Sequence, residues 1–187
     1  MLEEIEEEIR NCRKCPLWKE RNNAVPGEGN KNAKIMMVGE APGRVEDEKG
    51  KPFVGKAGHL LTEILRKNGI KREDVYITNV VKCRPPGNRN PRREEIEKCL
   101  PYLERQIDEI KPEIIIAMGN FASSALLEMY GFKAESISRV RGRIFYSPVH
   151  SIKIIPTFHP AACIYNKALL KYLEKDIRMA KNSLRWG

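Results

Sequence analysis

The feature that most limits the fold of this chain is an alternation between short apolar runs and longer amphipathic segments. Four runs, Ile35–Val38, Val75–Val80, Glu113–Met118 and Ile152–Pro156, have the length of buried strands. A segment with helical periodicity follows each of them. Strands that alternate with helices in this way predict βαβ units, in which helices cover both faces of a parallel sheet. At 187 residues the chain has the size of one such domain, spanning residues 1–187.

Five helices are predicted around these strands. They span Leu2–Asn11, His59–Asn68, Arg92–Ile110, Phe121–Tyr130 and Asn166–Ser183. Pro101 should kink or break the third helix, because proline removes a hydrogen bond from a helix interior. Arg143–Tyr146 is expected to pair with the last strand.

Glycine, proline and polar residues gather where three of the predicted strands end. The segments are GEAPG at Gly39–Gly43, TNVVKCRPP at Thr78–Pro86 and TFHPA at Thr157–Ala161. Ligands of parallel α/β sheets bind beyond the carboxyl ends of the strands, so we expect the functional site there. The segment VEDEKGKPFVGKAG, which follows the first of these turns, has the character of a charged loop.

Charge and hydropathy narrow the classes of partner. A net charge of +9 and a pI near 9.4 favour a polyanion such as nucleic acid. No apolar run approaches the roughly 18 residues of a membrane span, and the acidic start MLEEIEEEIRNC is unlike a signal peptide. We therefore expect a cytoplasmic protein with no membrane partner. The chain has one glutamine, and 32% of its residues are charged. This composition is typical of heat-adapted proteins, although twelve asparagines weaken that interpretation.

Two phosphate-binding motifs are approached but not completed. GKPFVGKA at Gly50–Ala57 resembles a P-loop, but Ala57 stands where the motif needs a hydroxyl, and no strand leads into Gly50. GEAPG lacks the G-x-G-x-x-G spacing of a dinucleotide site. Neither motif favours a nucleotide cofactor.

Four of the five cysteines have a metal-binding pattern. Cys12 and Cys15 form a C-x-x-C pair, Cys83 follows the second strand, and Cys99 lies sixteen residues further on. A reducing compartment argues against disulfides. Spacing alone leaves Zn²⁺ and an iron–sulfur cluster equally possible. Cys163, which lies among Ala161, Ala162 and Ile164, is interpreted as a packing residue.

In combination, these motifs resemble one family. GEAPG, PFVGKAG, TNVVKCRPP and FHPA, in that order and with four cysteines before and between them, are similar to the family 4 uracil-DNA glycosylases, the thermostable iron–sulfur branch of their superfamily. The resemblance implies a central four-stranded parallel sheet with helices on both faces, a three-layer α/β/α fold. It also implies a DNA repair enzyme that excises uracil from DNA, with a [4Fe-4S] cluster on Cys12, Cys15, Cys83 and Cys99.

The resemblance assigns roles within the expected site. Glu40, Ala41 and Pro42 would line the uracil pocket, Phe53 would stack on the base, and Asn79 would bond to its edge. Amide groups suit that edge, because an asparagine offers one donor and one acceptor. We also expect a hydrogen bond that fixes the orientation of the Asn79 amide. His159 would donate to uracil O2 and stabilise the leaving anion.

Other roles are less defined by the resemblance. Family 1 relatives carry an Asp and a Tyr where this chain has Ala41 and Gly43. Glu40 is therefore the first candidate to orient water, and Glu46 is a second candidate that would orient water or exclude thymine. Arg139, Arg141 and Arg143 are candidate phosphate contacts or a solvated face, and Ile164 and Tyr165 are candidates to fill the gap left by a flipped base.

Two other functions remain as alternatives. A non-catalytic iron–sulfur or zinc module that binds nucleic acid would explain the charge and the cysteines, but leaves Glu40, Asn79 and His159 without a role. A P-loop NTPase would use Gly50–Ala57. We expect a monomeric, monofunctional glycosylase that needs no nucleotide.

Overall fold

The computed structural model describes residues 1–185 and contains one six-stranded sheet. Its strands are β1 (Glu28–Gly29), β2 (Ile35–Gly39), β3 (Tyr76–Asn79), β4 (Ile114–Met118), β5 (Phe145–Ser147) and β6 (Ile152–Thr157). The spatial order is β1-β3-β2-β4-β6-β5. The central four, β3, β2, β4 and β6, are parallel, which confirms the predicted core of the sheet.

Two short antiparallel strands extend the sheet beyond that prediction. β1 pairs with β3 at one edge, and β5 pairs with β6 at the other. The pairing expected for Arg143–Tyr146 is therefore confirmed, with the strand shifted to Phe145–Ser147. β1 contains only Glu28 and Gly29, both exposed, so no apolar pattern in the sequence marks it.

Eight α-helices surround the sheet in residues 1–185. They are α1 (Leu2–Arg10), α2 (Arg44–Lys49), α3 (Lys56–Lys67), α4 (Arg93–Ile110), α5 (Asn120–Met129), α6 (Ile137–Val140), α7 (Pro160–Tyr165) and α8 (Leu170–Asn182). α1, α3, α4, α5 and α8 correspond to the five predicted helices. No helix in this part of the chain is both long and apolar enough to cross a membrane.

Three local predictions are corrected by the structure. The expected charged loop contains α2, whose first turn is closed by Glu46 accepting a hydrogen bond from the backbone N–H of Gly43. The helix α7 was not expected. Pro101 does not break α4, which continues to Ile110 because Leu103 and Ile107 beyond the proline are buried in the core.

Two hydrophobic cores confirm the three-layer architecture. Met36 and Val38 of β2 pack on the face covered by α1, α4 and α5. Ile35 and Met37 of the same strand pack on the opposite face, which α3 and α8 cover. The strict alternation along β2 follows from the two-residue period of a strand. Because helices cover both faces of the sheet, a ligand can approach it at the carboxyl ends of the parallel strands.

Candidate active site

A cavity of about 230 Å³ opens at the carboxyl ends of the parallel strands. It is lined by Ala41, Pro42 and Gly43 after β2, by Glu46 of α2, by Phe53, Ala57 and Gly58, by Asn79 of β3, by Pro85, Asn88 and Arg89, and by His159 and Ala161. The volume lies below the range of drug-sized pockets and suits a single small ring system. Most of the predicted site residues therefore meet in one place, whereas Glu40 is not among those that line the cavity.

Gly39, the last residue of β2, makes room for two of the cavity side chains. It lies opposite Asn79 in the β2–β3 register. A Cβ atom at Gly39 would lie 2.6 Å from Asn79 Oδ1 and 2.6 Å from Phe53 Cζ. Any side chain there would displace the amide or the ring, so the glycine that ends the strand is a steric requirement of the cavity.

Asn79 presents a buried amide without a partner. The residue is 2% exposed, and its Oδ1 has no hydrogen bond within residues 1–185. A buried polar atom of this kind costs about 1–3 kcal/mol unless something satisfies it. The hydrogen bond expected to fix the amide is not present in that part of the chain, so that prediction is wrong; the Asn79 amide is available to a ligand.

The backbone of Asn79 is held instead, by the buried Lys82. Lys82 Nζ donates to Asn79 O at 2.7 Å, to Thr78 Oγ1 at 2.6 Å and to Gln106 Oε1 at 2.7 Å. All three ammonium protons thus have acceptors. Burial lowers the pKa of Lys82 to about 7, while the Cys99 thiol opposes that shift. Sequence reasoning missed this residue, because a lysine between a valine and a cysteine carries no signal of burial.

Phe53 and His159 form the aromatic part of the cavity. Their ring centroids lie 5.5 Å apart with an interplanar angle of 27°. Phe53 is buried and has a backbone φ of 49°, in the left-handed region that bulky residues rarely adopt. Both rings line the same cavity as Asn79.

His159 is held as a neutral ring with one free donor. It caps α7, and its Nδ1 accepts a hydrogen bond from the Ala161 N–H at 3.0 Å. An accepting Nδ1 places the proton of the neutral ring on Nε2. Burial lowers the pKa of His159 to about 4, although the carboxylate of Glu46 opposes the shift. At neutral pH the ring therefore donates through Nε2 and carries no charge.

The two candidate carboxylates differ in environment. Glu46 accepts from the N–H groups of Gly43 through Oε1 and of Val54 and Gly55 through Oε2, at 2.8–3.1 Å. It thereby ties the turn after β2 to the loop that carries Phe53. Glu40 is half-buried, and burial alone raises the pKa of its carboxyl.

Sequence reasoning also missed Asn88 and Arg89, which form one wall of the cavity together with Pro85 of the predicted strand-end segment. Arg89 forms two hydrogen bonds with the buried carboxylate of Glu95, at 2.8 and 2.9 Å. That paired geometry fixes the loop before α4. The run RPPGNRNP directly after a strand end was the available signal, because binding residues often lie on such loops.

The four predicted cysteine ligands line a second cavity. Cys12, Cys15, Cys83 and Cys99 are brought together there, and Cys163 is buried in the core between the sheet, α3 and α8, as expected for a packing residue. Three donors point at the sulfurs: the Lys14 N–H at Cys12 (3.5 Å), Arg21 Nη1 at Cys83 (3.3 Å) and the Lys82 N–H at Cys99 (3.4 Å). Within residues 1–185 no group of three or more His, Cys, Asp or Glu side chains could hold a metal ion as placed. What the four thiols share is this cavity and the donors to sulfur, which are of the kind that stabilise thiolates.

The family of the chain follows from comparison with known proteins. The model of the uracil DNA glycosylase superfamily matches residues 26–181. A type-4 uracil-DNA glycosylase of Saccharolobus solfataricus is 53% identical over 98% of this chain and 86% of its own length. The chain belongs to the type-4 uracil-DNA glycosylases. Relatives with that name from Pyrobaculum aerophilum and Thermotoga maritima are 51% and 45% identical, over 95% and 99% of this chain and 92% and 95% of theirs.

The remaining candidate residues do not line the cavity. Arg141 forms an ion pair with the buried Asp176, so its guanidinium is already committed to a carboxylate. Arg143 Nη1 lies 3.9 Å from Glu135 Oε2. Ile164 and Tyr165, at the end of the helix that His159 caps, are 40% and 92% exposed.

Proposed function

We propose that this chain excises uracil from DNA by hydrolysing the N-glycosidic bond, leaving an abasic site. The observation that carries the proposal is the unpartnered, buried Oδ1 of Asn79 beside a cavity of single-base size that Phe53 and His159 also line. Membership in the type-4 family and the net charge of +9 support the same substrate.

The target nucleotide must leave the duplex before its base can enter such a cavity. In our proposal the extruded base stacks on Phe53, since aromatic rings bind bases through their faces. The Asn79 amide donates through Nδ2 to uracil O4 and accepts from uracil N3–H through Oδ1. Cytosine presents the opposite donor and acceptor at those two positions, so an amide in this orientation opposes it.

Bond cleavage develops negative charge on uracil and positive charge on the sugar. His159 Nε2–H donates to uracil O2 and stabilises that negative charge, and the neutral ring is already oriented by its bond from Ala161. Water then forms the new bond to C1′, one of its protons passes to the uracil anion, and the electrons of the broken bond leave with uracil.

We assign the two carboxylates to different tasks. Glu46 is occupied by three backbone donors and has the role of holding the Phe53 loop and the turn after β2 together. Glu40 has no such partners and is proposed to orient the attacking water, a role that its raised pKa supports by bringing it nearer to that of a general base.

We further propose that Cys12, Cys15, Cys83 and Cys99 hold a [4Fe-4S] cluster. The support is the single cavity that the four thiols share and the three donors aimed at sulfur. When bound, the cluster would link the N-terminal segment, through Cys12 and Cys15, to the loop after β3, through Cys83, and to α4, through Cys99. It would take no part in base excision. Anaerobically purified protein should be brown, with a broad band at roughly 400 nm and bound iron. Colourless, zinc-loaded active protein would contradict this assignment.

A single incubation tests the enzymatic proposal. The protein is mixed with an oligonucleotide that carries one uracil, in the presence of chelator and without nucleotide, and alkali then cleaves any abasic site. We expect cleavage at uracil only, no cleavage of a matched thymine oligonucleotide, and the same result for a monomer isolated by gel filtration. Binding of both oligonucleotides without release of uracil would instead support a non-catalytic module, and a requirement for ATP would support an NTPase. We infer a cytoplasmic location from the same substrate.

A further inference from the structure

The backbone of Phe53 is held in an unusual conformation by a residue outside the cavity. With φ of 49°, Phe53 is one of four non-glycine residues with positive φ in residues 1–185, and it is the one whose ring lines the cavity. Large side chains rarely occupy that region, so something nearby must hold the residue there.

Arg72 supplies that restraint. It lies just before β3, in the short 3₁₀ turn Arg72–Asp74. Its Nη1 donates to Phe53 O at 2.7 Å and to Thr62 Oγ1 at 2.8 Å, and its Nη2 donates to Pro52 O at 2.6 Å. One planar guanidinium thus donates hydrogen bonds to two consecutive carbonyls, and its rigid geometry fixes the direction as well as the length of these bonds.

The charge of Arg72 has no acid as its direct partner. The side chain is half-buried, its three contacts are neutral oxygens, and it forms no ion pair in the described part of the chain. Burial lowers the pKa of Arg72, and the more distant carboxylates of Glu28 and Glu46 oppose that shift. Burying a cation in this way is costly, which argues that its value lies in the geometry it imposes.

The helix α3 closes the other side of the same carbonyl. A Cβ atom at Gly58 would lie 1.9 Å from Phe53 O, so the loop backbone rests directly on the helix backbone. Phe53 O is therefore confined between Gly58 and the Arg72 guanidinium, while the Phe53 ring projects toward Gly39 and His159.

We propose that Arg72 is a positioning residue that fixes the Phe53 ring in the plane on which uracil stacks. This inference rests on the proposed function, in which Phe53 contacts the base. Arg72 itself touches neither base nor DNA. Releasing the two carbonyls lets Phe53 return to the extended or right-handed region, which moves its ring away from the stacking position.

The test compares affinities for two DNAs that the enzyme cannot cleave. One duplex carries 2′-fluoro-deoxyuridine, whose fluorine stabilises the glycosidic bond, and the other carries thymine at the same position. The ratio of the two dissociation constants measures recognition of the base. Arg72→Met should reduce that ratio roughly tenfold, within the range that stacking of one base provides, and leave the affinity for thymine DNA unchanged. Arg66→Met removes an exposed arginine from α3 and should change neither value.

Two further variants separate positioning from a general structural role. Phe53→Ala removes the ring, so Phe53→Ala/Arg72→Met should be no worse than Phe53→Ala alone. Arg72→Lys keeps the cation and one or two of the hydrogen bonds, and should recover part of the ratio of dissociation constants. If Arg72→Met does not fold, Arg72→Lys replaces it in the affinity comparison and in the double variant. Equal loss of affinity for both DNAs, or additive effects in the double variant, would overturn the inference. If the wild-type protein itself shows no preference for uracil, the proposed function fails instead.

Discussion

Replacing Asn79 by Asp tests whether this side chain reads the base. The substitution keeps the shape of the amide and exchanges the Nδ2 donor for an oxygen. Because Asn79 is 2% exposed, no water can compensate inside the occupied cavity. When the new carboxyl is ionised, an acceptor faces uracil O4, which is also an acceptor. An unmatched buried pair of this kind costs about 1–3 kcal/mol, which slows uracil excision by about fivefold to 150-fold.

The direction of the pH dependence follows from burial. A buried carboxyl has a raised pKa, because the low dielectric disfavours its charged form. The protonated Asp has a donor again, so the Asn79→Asp defect on uracil should shrink as pH falls from 8 to about 5. At the upper end of that range the ionised form gains a match to the N4 donor of cytosine, so the gap between the uracil and cytosine rates should narrow.

The assay is single-turnover release of uracil and of cytosine from otherwise identical oligonucleotides at both pH values. Asn90→Asp is the matched control, since Asn90 is exposed on the neighbouring loop and does not line the cavity. It adds the same charge and should leave the ratio of the two rates as in the wild type. Wild-type uracil rates in Asn79→Asp, or a defect of equal size for both bases at both pH values, would refute the assignment of Asn79.

Three other substitutions have distinct expected outcomes. His159→Ala should lower the single-turnover rate at least tenfold and DNA affinity little, because the bond to O2 strengthens only as charge develops; equal losses would make His159 a structural residue. The pKa of His159 falls from its ordinary value of 6.5 to about 4 on folding. Its contribution to the free energy of unfolding is therefore complete above pH 6.5 and is lost as pH falls toward 4. Urea unfolding at a series of pH values should show that the free energy of unfolding of His159→Ala depends less on pH than that of the wild type. Lys82→Met should cost about 1–3 kcal/mol for each of the three acceptors left without a donor, measured by denaturant unfolding; unchanged stability would show that water replaces the ammonium. Cys99→Ser should lower the melting temperature before it alters the uracil rate of the protein that stays folded, and a loss of rate at unchanged stability would give the cysteine centre a role in the chemistry.

The parts of the fold that could be predicted are those that a local pattern determines. β2, β3, β4 and β6 are apolar runs buried on both faces, and such runs have few alternatives to a central parallel strand. β1 exists only because its two residues meet β3, so no local pattern encodes it. α2 was missed because its charged residues suggest a loop, although Asp47 is buried and accepts bonds from the backbone and side chain of Asn22.

The candidate site divides in the same way. Asn79 and His159 were predicted through the family resemblance, and both stand where a parallel strand ends, which is where ligands of such sheets bind. Arg72 and Lys82 were not, because their roles depend on which backbone carbonyls the fold brings to them, across 19 residues for Phe53 O and 3 for Asn79 O. A long cationic side chain on its own predicts a solvated surface. Only the tertiary structure shows that Lys82 is buried, and Arg72 half-buried, beneath the residues that would contact the base.

The departures from ordinary protein structure are concentrated in the cavity. Phe53 has a left-handed backbone, Asn79 Oδ1 lacks a partner within residues 1–185, and the His159 ring is held in its neutral form. Each of the first two costs on the order of 1–3 kcal/mol in the free protein. Sites where several such costs coincide are usually ones that a ligand compensates. A flipped uracil would satisfy Oδ1 and cover the Phe53 ring in one step, so the energy that the free protein forgoes in this cavity becomes part of the affinity for the base.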